Sequence, residues 1–256
     1  MRGLSVYLNP TYEEGTLIEQ VERAASAGAD AIEYRPWHGD ELEKIAGACT
    51  DHGLDLAYLS GSKTPLTDPG RTAEAIKEGN RSVERAAAVG CPTINLSPGP
   101  AQAGLGRETQ LENTIEVIEA VAPTAEEAGV TLAIEPLNTA VDHPDAFLSS
   151  SYEGYEIIQE VGSDHVKLLF DIYHQQITEG NITANLTEHV DLIGHVHVAD
   201  VPGRHEPGTG ELNYENVLTA LGEAGYDGYV GCEFTPSPEA DPDDCVRRVA
   251  NMLKPN

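Results

Sequence analysis

Basic residues are scarce in this chain. Fifteen Lys and Arg stand against 43 Asp and Glu, a formal charge of -28 at pH 7, with an isoelectric point near 4.4. A surface so charged repels phosphate backbones, so nucleic acid is not an expected partner. The acids are spread along the chain and not gathered in a tail, a composition that resembles proteins of salt-loving organisms and reports habitat more than ligand. Cysteine is sparse too: Cys49, Cys91, Cys232 and Cys245 form no C-x-x-C pair, so neither a disulfide framework nor a thiolate zinc site is indicated, and all four are expected reduced and mostly buried. No apolar stretch approaches the roughly 20 residues of a membrane span. The segment Met1 to Pro10 has one basic residue and reaches Asn9 and Pro10 before an apolar signal core forms. The expectation is therefore a cytoplasmic protein that does not engage a membrane. A Gly-rich phosphate loop is also lacking: no G-x-G-x-x-G opens any unit, and Asn9-Pro10-Thr11-Tyr12 follows the first apolar run.

What is present is a repeated alternation. Short runs rich in Val, Ile, Leu and Tyr alternate with stretches of helix formers, which argues βα units and a parallel sheet. Eight strands are predicted: 4–9, 31–35, 55–60, 93–97, 131–136, 166–171, 192–199 and 229–234. Between them, 16–27 carries Leu17, Val21, Ala24 and Ala25 at helical spacing, with Gly28 where a C-terminal cap belongs. Segments 72–89 before Gly90 and 108–128 before Gly129 repeat the pattern. A closed α/β barrel uses about 250 residues, and this chain has 256 with 40% apolar residues. The prediction is one α/β domain over residues 1–256, a (β/α)8 TIM barrel, with long βα loops near 97–106 and 201–210.

Reactive side chains of such barrels stand at the C-terminal ends of the strands. Four consecutive strands supply one each: Glu135 in Ile134-Glu135-Pro136-Leu137-Asn138, Asp171 in Phe170-Asp171-Ile172-Tyr173-His174, His197 in His195-Val196-His197, and Glu233 in Gly231-Cys232-Glu233. Three carboxylates cannot stay ionised together in a weakly screened cleft without compensation. A single divalent metal resolves this, and carboxylate oxygens with one imidazole suit Mn2+, Mg2+ or Co2+. A lone acid at a strand end is as often a cap or a surface group; four in succession point to a site. His195 shares the face of His197 one layer deeper and is expected to be a hydrogen-bonded interior histidine. Cys232 faces the packing side, and Glu33 joins either the site or a structural contact. His174 is expected in a βα loop, where it hydrogen-bonds either a substrate oxygen or a structural partner. Arg204, one of few cations, lies near the expected mouth, where a guanidinium matches a carboxylate bidentately; an ion pair with Glu206 or a neighbouring acid is the plainer alternative.

At these residues, and in Arg204-His205-Glu206-Pro207-Gly208 through Gly210-Glu211-Leu212-Asn213-Tyr214 and Tyr226-Asp227-Gly228-Tyr229, the chain resembles the hydroxypyruvate isomerase family of xylose-isomerase-like TIM barrels over nearly its whole length. The resemblance implies metal ligands Glu135, Asp171 and Glu233, with the fourth from strand seven. Bacterial members tend to carry Gln where His197 stands, while ketose 3-epimerases of the superfamily use His, which keeps a free ketose or another sugar as the rival substrate. The implied reaction converts hydroxypyruvate into tartronate semialdehyde through an enediolate, with Glu135 and Glu233 as the proton-transfer pair and His174 and Arg204 binding substrate. A nuclease on the same barrel would need further histidines where Ser60 and Asn95 stand, and a non-catalytic sugar-binding barrel would exchange no substrate hydrogen. The expected partner is a small hydroxy-carbonyl substrate, with a homo-oligomer left open.

Overall fold

The computed structural model describes residues 1–254. Eight parallel strands close on themselves in sequence order: β1 Gly3–Tyr7, β2 Ala31–Tyr34, β3 Asp55–Ser60, β4 Thr93–Asn95, β5 Thr131–Ile134, β6 Val166–Asp171, β7 Ile193–Val198 and β8 Tyr229–Cys232. The last pairs with the first, Ser5 opposite Gly231. Helices Leu17–Ala27, Glu41–His52, Thr72–Ala88, Arg107–Ala128, Ser151–Val161, Tyr214–Glu223 and Pro242–Met252 follow seven of the strands around the outside. The predicted barrel is the one found.

Local chemistry sets the helix ends. Thr16 and Glu19 form a reciprocal capping box at the start of Leu17–Ala27. Gly28, Gly53, Gly129 and Gly162 end their helices in the left-handed conformation. Helix Thr72–Ala88 ends one residue before the predicted Val89, which is its cap. Several predicted strands overrun at their C-terminal ends: β5 stops at Ile134 rather than Pro136, and β8 at Cys232 rather than Phe234. The ladder ends where the chain turns out over the mouth, so Glu135 and Glu233 stand just beyond the last strand residue.

Alternation along each strand separates two environments. Val6, Ile32, Ile134, Phe170, Val196 and Cys232 pack with the helices in one continuous apolar layer. Their neighbours face the barrel axis, where the filling is unusually polar: Ser5, Glu33, Asp171, His195 and His197 are all essentially inaccessible to solvent. Such interiors are commonly filled by Val, Ile and Leu; here two small apolar sets stand apart from the outer layer, Tyr7, Tyr58, Ala133 and Leu169, and Ala31, Ala57 and Tyr229.

Gly231 makes this polar filling possible. A Cβ there would lie 2.1 Å from Glu33 Oε1 and 2.8 Å from His197 Cδ2, so β8 contributes no side chain at the level where β2 and β7 meet. Gly231→Ala should lower unfolding stability by about 1–3 kcal/mol, the usual cost of overpacking, measured by urea denaturation; a change within ±0.5 kcal/mol would mean that Glu33 is free to move.

Candidate active site

Glu135, Asp171, His197 and Glu233 each offer a ligand atom, and the four atoms lie within 4.8 Å of one another at the mouth. The side chains predicted from four separate strands are brought together. Asp171 ends β6 and caps a short helix, Ile172–Thr178: its Oδ1 accepts from Tyr173 N at 2.8 Å and His174 N at 3.3 Å. This leaves Oδ2 free to face the cluster. Helix Ile172–Thr178 corrects one expectation, since His174 lies in it and not in a loop, fully buried; seven residues are too few to show a helical period.

His197 is held from behind. Its Nε2 bonds Glu33 Oε2 at 2.8 Å, His195 Nε2 bonds Glu33 Oε1 at 2.9 Å, and Ser5 Oγ donates to Glu33 Oε1 at 2.5 Å. Glu33 is therefore an internal partner of both histidines. Burial alone would raise its pKa, but the two imidazoles outweigh that and hold it well below the ordinary carboxylate range. With Nε2 committed to Glu33, Nδ1 of His197 faces Glu233 Oε2 at 3.0 Å without making a hydrogen bond. Burial would lower the pKa of His197, yet Glu33 and Glu233 push it well above the ordinary value. The spot beside Nδ1 thus calls for positive charge, which a proton or a metal ion supplies.

Arg204 meets the same demand from the loop after β7. Its Nη2 donates to Glu233 Oε2 at 2.8 Å and Asp171 Oδ2 at 3.2 Å, and its guanidinium lies 5.1 Å from the Tyr173 ring. Its partners are site carboxylates and not Glu206, whose carboxylate instead accepts from Ser237 N and Oγ, both at 2.8 Å. Arg204 adopts φ +56°, a left-handed conformation unfavourable for a residue with a side chain. Loop bonds hold it there: Arg204 N to Asp200 O at 3.1 Å and Thr235 N to Arg204 O at 3.0 Å.

His174 presents a donor. Asn138 Oδ1 accepts from Val141 N and Asp142 N, which fixes Nδ2 as the group 2.6 Å from His174 Nδ1. Nδ1 therefore accepts, and Nε2 carries the hydrogen, buried and without a hydrogen-bond partner, 3.5 Å from Asp171 Oδ2. Burial lowers the pKa of this ring, so it is neutral near pH 7. Asn138 closes the motif Ile134-Glu135-Pro136-Leu137-Asn138, where nothing in the sequence signals its bond to His174.

The two glutamates are driven apart. Burial and the charge of Glu233 raise the pKa of Glu135 to about 8. Glu233 is also buried, but Arg204 and His197 hold it to about 2. Both line a cavity of about 460 Å³ at the mouth, with His174, Arg204, Ser60 and Asn95. A depression of about 440 Å³ at the opposite end of the barrel, lined by Lys167, Asp191 and Tyr229, contains none of the four clustered groups. Ser60 and Asn95, at the ends of β3 and β4, are taken up by Tyr7 Oη at 2.8 Å and Glu135 Oε2 at 3.1 Å.

The donor set fits a divalent metal. Three converging carboxylates exceed the one guanidinium that faces them, and a buried imidazole nitrogen is aimed at them with no hydrogen bond of its own. Oxygen donors with one imidazole match Mn2+, Mg2+ or Co2+. The second cluster of possible ligands, Glu33 with His195 and His197, is closed by its own hydrogen bonds and serves the first: a carboxylate behind a ligating histidine fixes its tautomer.

The sequence model of the xylose isomerase-like TIM barrel family matches residues 21–255. A human protein named putative hydroxypyruvate isomerase is 35% identical over 234 residues, covering 85% of this chain and 83% of its own. The 2-oxo-tetronate isomerase of Cupriavidus necator is 32% identical, covering 92% and 94%. Among solved structures, one titled AP endonuclease, family 2, from Brucella melitensis superposes with a TM-score of 0.89 at 27% identity, covering 98% and 99%.

Two outcomes are expected. In chelator, Glu135 with its raised pKa binds more protons folded than unfolded between pH 4.5 and 8, so stability falls as pH rises through that window. Glu135→Gln should therefore gain stability over the parent progressively from pH 5 to 8 in thermal melts, a gain that added Mn2+ reverses; parallel curves would refute the raised pKa. Glu33→Gln should weaken Mn2+ binding about 10- to 100-fold by calorimetry; unchanged affinity would leave Glu33 a packing contact.

Proposed function

Because the chain belongs to the xylose isomerase-like TIM barrel family and, within it, to the hydroxypyruvate isomerases, we propose that it isomerises a short 2-oxo-3-hydroxy acid, hydroxypyruvate to tartronate semialdehyde. The observation that carries this reading is the meeting of Glu135, Asp171, His197 and Glu233 in one cluster, beside a cavity lined by Glu135, Glu233 and His174, whose Nε2–H is unpartnered. Glu135, Asp171, His197 and Glu233 would hold one divalent cation. When bound, such an ion supplies Lewis acidity toward adjacent carbonyl and hydroxyl oxygens and so acidifies the neighbouring C–H.

The chain's own residues do the rest. Hydroxypyruvate has its carbonyl at C2 and a hydroxyl on C3. One proton leaves C3, giving an enediolate, one arrives at C2, and the O3 hydroxyl proton moves to O2, so the product has its carbonyl at C3. Glu135 and Glu233 flank the reacting carbons, and one removes the proton while the other, or the same one, returns it. His174, neutral and with its hydrogen on Nε2, donates to a substrate oxygen. Arg204 keeps Glu233 ionised and holds it in place, and its guanidinium borders the substrate.

A second substrate rests on the relative from Cupriavidus necator. A 2-oxo-tetronate has the same C2 carbonyl and C3 hydroxyl with one further carbon, so the proton transfer is unchanged and only the space beyond C3 differs. The nuclease title of the Brucella structure finds little support here: the charge of -28 opposes DNA, and Ser60 and Asn95 are neutral groups with intramolecular partners.

Proton NMR of hydroxypyruvate in D2O with Mg2+-loaded protein tests the reading. Conversion to tartronate semialdehyde is expected, reduced about 10²- to 10⁴-fold in Glu233→Gln. No conversion of either acid, with deuterium entering C3 of a free ketose, would make the protein an epimerase instead.

A further inference from the structure

The mouth cavity is electrically lopsided. Glu135 and Glu233 enter from β5 and β8, while Arg35 and Lys63 enter from the chain just after β2 and β3. In a chain with 43 acidic residues and 15 basic ones, free cations are conspicuous. Arg23, Arg71, Arg81, Arg85 and Arg107 each close on a surface carboxylate. Arg35 and Lys63 form no ion pair among the described residues, although both are exposed and border the cavity.

Their placement is built. The Arg35 guanidinium rests 5.4 Å from the Tyr7 ring, and Tyr7 Oη is bonded to Ser60 Oγ at 2.8 Å. Ser60 leads into the segment that carries Lys63. Gly61 donates from its N to Asn95 O at 3.0 Å, and a Cβ at this position would lie 2.1 Å from that oxygen, so the chain after β3 lies flat on β4. Ser62 Oγ then accepts from Thr64 N at 3.1 Å, which closes the turn around Lys63. The two cations are thus carried by elements fixed to the barrel rim.

Arg204 already serves two carboxylates, its Nη2 donating to Asp171 and Glu233, while its Nε is buried without a hydrogen-bond partner. A further carboxylate at that point would add a third negative charge to the pair it neutralises. We propose that Arg35 and Lys63 form the anion subsite of the cavity and bind the substrate C1 carboxylate, leaving C2 and C3 between Glu135 and Glu233. This deepens the isomerase reading and rests on it for the identity of the substrate; both named relatives act on 2-oxo acids, so one carboxylate subsite serves either chain length.

The test uses the full chain loaded with Mn2+ and D-glycerate, a hydroxy acid without the reactive carbonyl, as a calorimetric probe, with glycerol as its neutral counterpart. Arg35→Met and Lys63→Met should each raise the Kd for glycerate and the KM for hydroxypyruvate about tenfold, and more in the double variant. kcat should stay within about threefold, as expected when an interaction is equally strong in ground and transition states. Arg35→Lys and Lys63→Arg should restore most of the affinity, and added NaCl should weaken glycerate binding to the parent. Unchanged glycerate affinity in the double variant, with unfolding midpoints preserved, overturns the subsite and leaves the isomerase reading intact. Binding that depends on Arg35 and Lys63 without turnover of either acid overturns the isomerase reading and leaves the subsite standing. Inorganic phosphate bound more tightly than glycerate would overturn the carboxylate assignment in favour of a phosphorylated ligand.

Discussion

Concentrated negative charge at the barrel mouth is the constraint around which the rest is arranged. Glu135, Asp171 and Glu233 approach one another with His197 inside a sphere of a few ångströms, and like charges so placed and partly desolvated resist simultaneous ionisation. Each neighbouring feature reads as a response. Arg204 is held in a left-handed conformation so that one nitrogen reaches two carboxylates. Helix Ile172–Thr178 begins at Asp171, so two backbone N–H groups stabilise the oxygen that does not face the cluster. Glu33 locks His197 with Nδ1 forward, and Gly231 clears the space that Glu33 needs.

What the sequence disclosed and what it hid follow from the range of the interactions. Short apolar runs rich in Val, Ile, Leu and Tyr and helix stops at Gly28 and Gly129 are local signals, and they locate all eight strands. The acids at the strand ends were legible for the same reason, since a polar residue interrupting an apolar run is visible without a partner. Glu33 ends such a run too, but its meaning depends on His197, 164 residues away, and on the absence of a side chain at Gly231. Asn138 was hidden in another way: its role is to set the tautomer of His174, a property of hydrogen-bond direction that no residue pattern encodes. The helix that carries His174 is illegible in the sequence because seven residues are too few for a period to register.

The polar axis of this barrel also bears on how stability and chemistry are divided. The apolar layer between strands and helices holds the fold, whereas the axis holds a buried set of Ser5, Glu33, His195 and His197 joined through the Glu33 carboxylate, with His197 Nδ1 left facing the site. Buried polar groups cost free energy unless all of them are paired, and a paired network fixes geometry more narrowly than apolar packing does. The polar set beneath the site is therefore a directional support for His197.

Charge at the mouth has a different logic from charge on the surface. The excess of acids surrounds the molecule with a negative potential that disfavours anionic ligands at a distance. A binding site for a small acid on such a protein must compensate locally, within the few ångströms where a guanidinium or ammonium outweighs the diffuse field. Arg204 already shares one nitrogen between Asp171 and Glu233, so a further anion there would meet their charge. Arg35 and Lys63, unpaired among the described residues, border the same cavity as the carboxylates. The proposed division gives separate cations separate tasks: Arg204 holds Glu233 ionised beside Asp171, and Arg35 with Lys63 would give a negatively charged protein a place to hold a negatively charged substrate.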